Sequence, residues 1–396
     1  MSKKSVLFAY NAMNIGGSTT SLLSILNRMD YDKYEVDLIL NQNTGVLFDM
    51  IPSEVRVLEP ARKYQNKPVE YLHRFCSPRY LWHYLKSKQI VKKTGVSIHG
   101  AQYREWKDID FQREIEKEYD VAIAFLEGDR CKYVARHVKA KRKIAWIHVN
   151  YFDAKMDPKY DQDTMEKFDS IVLVSEDSKH AFDQCFPELS TCTRVIENIL
   201  STEYVKTMSK EPVDFKIESN RINLVTTCRI TFESKALDRA LGVIKRIKQE
   251  EHPFNLKWYI IGDGEDYSNL KDWINKFNLQ NDIILLGSKI NPYPYLKDMS
   301  MFFLPSRREG KPMAVTEAFM MGLPALVTEY SSAREQIRDG VDGIIVENSE
   351  QGIYDGLIRI IEHPEIITKL KKNVMNTDYS NVEEMKKVEQ LIDGNN

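Results

Sequence analysis

Two basic residues six positions apart, Arg229 and Lys235, and two acidic residues eight apart, Glu309 and Glu317, are the side chains of this 396-residue sequence best suited to chemistry. Arg229 closes the apolar run Leu224-Val-Thr-Thr-Cys228, and Lys235 is placed in the first turn of the helix expected to follow. Glu309 opens the stretch Glu309-Gly-Lys-Pro-Met-Ala-Val-Thr-Glu317, preceded by the run Met301-Phe-Phe-Leu304 and the turn Pro305-Ser-Arg-Arg308. Gly310 lets the backbone bend close to a ligand. Pro312 suits the first turn of a helix that would carry Glu317 and stop at Gly322-Leu-Pro324. The free amides and positive dipole end of such a helix start are suited to phosphate. Pre-placed Arg and Lys groups stabilise the charge that grows on a departing diphosphate, Arg by a bidentate grip and Lys as a compact point charge. Two cations for a diphosphate and two carboxylates for sugar hydroxyls imply chemistry in which a sugar leaves a nucleotide.

The first half offers weaker signals. Its first apolar run leads to Asn14-Ile-Gly16-Gly17-Ser18 and a helical pattern through Leu22, Leu23, Ile25 and Leu26. Glycines there allow backbone to approach a phosphate or an acceptor, or make a tight strand-to-helix turn. His148 ends the run Ile144-Ala-Trp-Ile147, where a polar side chain would face a cleft and bond a sugar hydroxyl. The three Asp-x-Asp pairs, Asp30/Asp32, Asp108/Asp110 and Asp161/Asp163, follow no convincing apolar strand, so no metal site is expected from them. A P-loop, HExxH and a nucleophile elbow are absent.

These residues sit in a pattern of short apolar runs alternating with helical stretches, which points to parallel sheets flanked by helices. Strands are expected at 5–10, 35–40, 120–126, 143–148 and 170–175, then at 222–228, 257–262, 282–287, 300–305, 324–328 and 343–346. The pattern restarts near Arg221 after a polar stretch, 201–220, that reads as a boundary. The chain is too long for a single core to be the default. It divides into two doubly wound domains facing across a cleft: 1–202 for the acceptor, 203–378 for the nucleotide sugar, and a final segment 379–396.

Hydrophobic content of 42%, charged content of 29% and a net charge of -2 describe a soluble globular protein and give no reason to expect nucleic acid. Five scattered cysteines without zinc spacing fit free thiols in a reducing cytoplasm. No run has the roughly 20 apolar residues of a bilayer span. The segment 61–104 departs from the rest: ten Lys and Arg residues with only Glu70 opposing them, interleaved with seven Tyr, Phe and Trp. Such a segment can rest on an anionic membrane surface, dock an acceptor, or pack its aromatics on its own domain.

The combined pattern resembles the family-4 retaining glycosyltransferases of the GT-B fold. In the second half the likeness rests on Thr227-Cys-Arg229 with Lys235-Ala-Leu-Asp238, on Ile261-Gly-Asp-Gly264, on Asn291-Pro-Tyr-Pro-Tyr295, and on Leu304 through Pro324. In the first half, Tyr119 through Glu127-Gly128, Lys143 through His148 and Val174-Ser175 are similar to the bacterial polysaccharide-assembly branch. The resemblance implies that Arg229 and Lys235 bind the donor diphosphate and Glu317 the ribose hydroxyls. Glu309 would contact the transferred sugar, with His148 near its far hydroxyls; Gly16 and Gly17 would sit under the phosphates or acceptor. Gly262 and Gly310 are carried over as donor-site positions. Family members mostly have Gly where this chain has Cys228 and Ala236, and many have Gly at Pro312, so phosphate contacts would shift to the amides of Met313 and Ala314. The last helix, around 382–391, would cross back onto the first domain.

The resemblance implies a hexose or N-acetylhexosamine transferred with retention from a nucleotide diphosphate sugar, a UDP-sugar foremost, without metal or other cofactor. The acceptor would be a saccharide, lipid-linked and presented at the inner membrane face, in capsule, exopolysaccharide or wall-polymer synthesis. A catalytically silent acceptor- or partner-binding subunit is the alternative.

Overall fold

The computed structural model describes residues 3–61, 78–108, 112–218, 220–250 and 255–394. Residues 62–77 of the basic aromatic segment lie outside the described residues, as do Cys76 and Asp110. The chain forms two compact units, Met1–Ile199 with Glu383–Asn396, and Leu200–Val382.

The N-terminal unit is built on seven parallel strands: β1 (Lys4–Tyr10), β2 (Tyr34–Leu40), β3 (Arg56–Val57), β4 (Ile115–Ala124), β5 (Val138–Ile147), β6 (Ser170–Leu173) and β7 (Thr193–Val195). Their order is β3-β2-β1-β4-β5-β6-β7, so the sheet reverses direction between β1 and β4. Parallel strands covered on both faces need near-continuous apolar sequence, and β1 supplies it, with Val6, Leu7, Phe8 and Ala9 all fully buried. The helix Glu384–Asp393 completes this unit's core with Met385, Val388, Leu391 and Ile392.

The C-terminal unit has six parallel strands: β8 (Ile222–Thr227), β9 (Leu256–Ile261), β10 (Ile283–Gly287), β11 (Met301–Leu304), β12 (Ala325–Thr328) and β13 (Gly343–Val346). Their order is β10-β9-β8-β11-β12-β13, and the reversal falls between β8 and β11, which pair at Leu224–Met301 and Val225–Phe302. Leu237, Ala240, Leu241, Ile244 and Ile247 form the buried stripe of the helix Leu237–Gln249, the 3.6-residue spacing of a helix lying on a sheet.

Three expectations need correction. The sequence contains two further strands, β3 and β7, both short and at sheet edges; with two and three residues they offer no period to recognise. The polar stretch 201–220 is more than a boundary: Ser201 caps the helix Thr202–Met208, whose Val205 packs with Leu200, Tyr293, Met313 and Met320. Lys235 does not open the long helix. It closes a separate one-turn helix, Phe232–Lys235, and Ala236 then turns the chain with φ 54° before Leu237.

Candidate functional site

In a doubly wound sheet the crevice beyond the strand carboxyl ends, where strand order reverses, receives the ligand. In the C-terminal unit that place is the loop after β8, which carries Arg229 and Lys235, and the loop after β11, which carries Glu309. The structure brings two of these together. Lys235 Nζ lies 2.6 Å from Glu309 Oε1, and the buried Ser306 donates its hydroxyl to the same oxygen at 2.6 Å. Burial works against the Lys235 charge, and Glu309 still holds its ammonium above the ordinary lysine range. An ammonium has three donors, so the contact with Glu309 leaves others for a phosphate. Arg229 is exposed, makes no hydrogen bond or ion pair among the described residues, and lies close enough to Lys235 to act on its charge.

The two loops are fixed from behind. Arg307 pairs with Asp238 at 3.2 Å, its backbone N–H reaches Ser234 O at 2.7 Å, and Arg308 pairs with Glu233 at 2.7 Å. Arg239 donates to Pro305 O at 3.0 Å, and Thr328 donates to the carbonyl of buried Ser306 at 2.5 Å. Gly262 and Gly264 serve the same loop: a Cβ on Gly262 would lie 1.9 Å from Cys228 O, and one on Gly264 would lie 2.3 Å from Ile230 O. Only glycine lets the β9 loop press against the backbone on either side of Arg229. Burial pushes the Cys228 thiol up to about 12, with Lys235 opposing the rise and Glu309 adding to it, so a protonated, unreactive thiol adjoins the ion pair.

Glu317 has different neighbours. It sits on the helix Met313–Met320, with Pro312 at the N-cap and Gly322 ending the turn at φ 78°. The residue is 9% exposed, accepts the Tyr293 hydroxyl at 3.1 Å, and has its carboxyl raised to about 7 by burial, the Tyr293 bond opposing. Tyr204 meets the Tyr293 ring edge-on, centroids 6.5 Å apart. Gly310 lies in the loop between Glu309 and this helix, and the first-turn amides of Met313 and Ala314 follow the proline.

In the N-terminal unit Gly16 caps the helix Gly17–Leu26, and the Tyr10 hydroxyl binds Ser18 and Thr19 at 2.7 and 2.9 Å. His148 is the first residue past β5 and donates its backbone N–H to Glu127 Oε2 at 3.0 Å. Burial pulls its imidazole down to about 4, against Asn198 and the Phe125 backbone, so the ring is neutral near pH 7. Sequence reasoning assigned no role to Ser306, Tyr204, Tyr293 or Glu127. Ser306, Tyr293 and Glu127 lie inside motifs that carry the resemblance, but only their partners reveal them.

Among the described residues no group of three or more His, Cys, Asp and Glu could hold a metal ion, and no helix is long and apolar enough to cross a membrane. The helix Pro78–Thr94 buries His83 and Ser87, and its Leu81, Trp82 and Leu85 are 40, 55 and 54% exposed.

Two parallel-sheet α/β units of this topology are the GT-B fold. The family model of the glycosyl transferases group 1 matches residues 209–377. An uncharacterized glycosyltransferase of Methanocaldococcus jannaschii is 31% identical over 172 residues, 43% of this chain and 42% of that one. The matched region thus spans less than half of that relative. A second relative is similar along nearly its whole length: a Campylobacter jejuni N-acetylgalactosamine-N,N'-diacetylbacillosaminyl-diphospho-undecaprenol 4-alpha-N-acetylgalactosaminyltransferase, 22% identical over 94% of this chain and 93% of that one. Among solved structures, Anabaena HepE in complex with UDP and glucose superposes with a TM-score of 0.70 at 15% identity, covering 99% of this chain and 100% of that one.

Proposed function

We propose that the chain is a retaining hexosyltransferase. It moves a hexose or N-acetylhexosamine from a nucleotide diphosphate sugar, a UDP-sugar foremost, to a lipid-linked saccharide in the assembly of a capsule, exopolysaccharide or cell-wall polymer. The observation that carries this reading is the Lys235–Glu309 contact where the C-terminal sheet reverses, with exposed Arg229 beside it. Arg229 and Lys235 neutralise the diphosphate as it leaves. The amides of Met313 and Ala314 support its oxygens, Glu317 takes the ribose hydroxyls, and Glu309 orients the transferred sugar.

In the reaction the bond from the anomeric carbon to the diphosphate oxygen breaks and its electron pair stays on that oxygen. The acceptor oxygen bonds the same face of the anomeric carbon, and its proton passes to the leaving phosphate. The proposed route draws on these side chains and uses no metal ion. The bound UDP of HepE supports the choice of nucleotide, and the named acceptor of the Campylobacter relative supports a lipid-linked one. The helix Pro78–Thr94 would hold the protein at the cytoplasmic membrane face, its exposed Leu81, Trp82 and Leu85 meeting the lipid boundary beside Lys86, Lys88, Lys92 and Lys93.

The test is transfer from a panel of UDP-sugars to a polyprenyl-diphosphate saccharide, with the product's anomeric configuration read by NMR and with chelator added in parallel. Transfer with retention, unaffected by chelator and lost in Arg229→Ala and Glu309→Ala, is the expected result. An inverted product, or variants as fast as the wild type, would overturn the assignment.

A further inference from the structure

The N-terminal unit contains a carboxylate that the mechanism above does not use. Glu127 lies three residues past the end of β4, and β4 adjoins β1 across the reversal of strand order, the place where a doubly wound sheet receives ligand. The neighbouring chains stay together up to this point, with Phe125 N–H on Ala9 O at 2.9 Å. Glu127 Oε2 accepts the backbone N–H of His148 at the end of adjacent β5, and the Phe125 ring lies 5.0 Å from the imidazole.

The half-buried Glu127 has no cationic partner among the described residues, and the one charge that acts on it, Asp129, has the same sign. Burial accordingly raises its carboxyl. The nearby cations are committed elsewhere: Lys132 to Glu105 and Asp161, both at 2.9 Å, and Arg130 to Asp129 and Gln112. Receiving backbone amides, that of His148 and its own, does not require a charge. A glutamine would do it without the cost of burying an unpaired carboxylate. What glutamate adds is a charge-assisted acceptor with several lone pairs, suited to hydroxyl groups.

Resting on the glycosyltransferase reading, we propose that Glu127 is a substrate-binding residue that accepts a hydrogen bond from a hydroxyl of a saccharide substrate, beside His148. The hydroxyl belongs either to the transferred sugar or to the acceptor, and kinetics separate the two. Glu127→Gln preserves the bond to the His148 amide, so its Tm stays near that of the wild type. KM for one saccharide substrate rises about tenfold or more, the value of a lost hydrogen bond to a charged group. A raised donor KM in hydrolysis without acceptor places the hydroxyl on the transferred sugar. A raised acceptor KM alone places it on the acceptor. Should E127Q fold poorly, Glu127→Asp, with the charge kept and drawn back by one methylene, takes its place under the same readouts. Donor and acceptor KM both within about twofold of wild type at unchanged Tm would overturn the proposal and leave Glu127 a loop staple. Wild-type turnover is the control: its absence sinks the transferase reading, whereas an active wild type with an unchanged variant sinks only the role of Glu127.

Discussion

Glu317 offers the sharpest quantitative test. Among the described residues its buried carboxyl has one hydrogen bond, from Tyr293, and no cation, and it stands at about 7 against 4.5 in an exposed chain. A folded-state value above the unfolded one means that the native state holds the proton more tightly. The stabilisation is complete below the unfolded value and is lost as pH rises through the folded one. The shift from 4.5 to about 7 corresponds to about 3 kcal/mol. Glu317→Gln removes this titration and keeps an acceptor for Tyr293. The new amide's unpaired N–H groups cost the same at every pH, so the pH dependence is the clean readout. Relative to E317Q, the wild type is expected to lose about 3 kcal/mol between about pH 4.5 and pH 7.5, or roughly 6–12 °C in Tm for a unit of this size. Scanning fluorimetry of the protein and its variant in matched buffers measures it. A stability difference that stays flat across that range would refute the assignment of an unpaired buried carboxyl. On the proposed function the same variant binds UDP about tenfold more weakly, having lost a charged acceptor for ribose hydroxyls. A variant whose stability relative to wild type rises from about pH 4.5 to pH 7.5 and that binds less well is the combined outcome expected.

Three further outcomes follow from the geometry. Gly262→Ala places a methyl 1.9 Å from Cys228 O at a backbone φ of 149°, and should destabilise by about 3 kcal/mol or more in urea titrations; Gly242→Ala, with nothing within 4 Å, should instead gain up to about 1 kcal/mol from helix propensity. Ala236→Gly relieves a left-handed alanine with φ 54°, and the gain of about 1–2 kcal/mol from strain should exceed the about 0.5–1 kcal/mol of glycine entropy; a lower urea midpoint than wild type would contradict that strain. The protein should co-sediment with phosphatidylglycerol vesicles and not with phosphatidylcholine ones. Changing Lys86, Lys88, Lys92 and Lys93 to Gln should weaken that binding by up to about 4 kcal/mol, about 1 kcal/mol per lysine, and equal binding to both vesicle types would rule out the electrostatic part.

Strands buried on both faces announce themselves as apolar runs, which is why β1, β2 and the central strands of both sheets were legible. β4 and β5 begin earlier than expected because their N-terminal halves, such as Glu116-Lys-Glu118 and Lys139-Ala-Lys141-Arg142, are polar. Those halves pair with each other while their side chains stay largely exposed or half-buried, so the hydrogen-bond ladder continues without apolar side chains. A ladder of that kind has no compositional mark. The helix Thr202–Met208 was hidden for a related reason: it is only seven residues long, and Val205 is its single buried residue.

The site divides in the same way. Charged residues at strand carboxyl ends could be named from order and spacing alone, because β8 and β11 are recognisable and the reversal of strand order makes their ends neighbours. What spacing does not convey is which charge meets which. The sequence supports two independent pairs, one basic and one acidic. The structure instead joins Lys235 to Glu309 and leaves Glu317 to a tyrosine. This exchange of partners gives the two carboxylates different chemistry on one loop and helix: Glu309 is compensated by an ammonium and a serine hydroxyl, whereas Glu317, raised by burial, titrates near neutrality. The break at Ala236 makes it possible. A continuous helix from Phe232 would fix the direction of Lys235 against the buried stripe of Leu237 and Leu241, pointing it away from that stripe, whereas the left-handed turn gives the one-turn helix an orientation of its own. The ion pair thus depends on a backbone conformation at a residue with no chemistry, and a side-chain motif alone carries no trace of it.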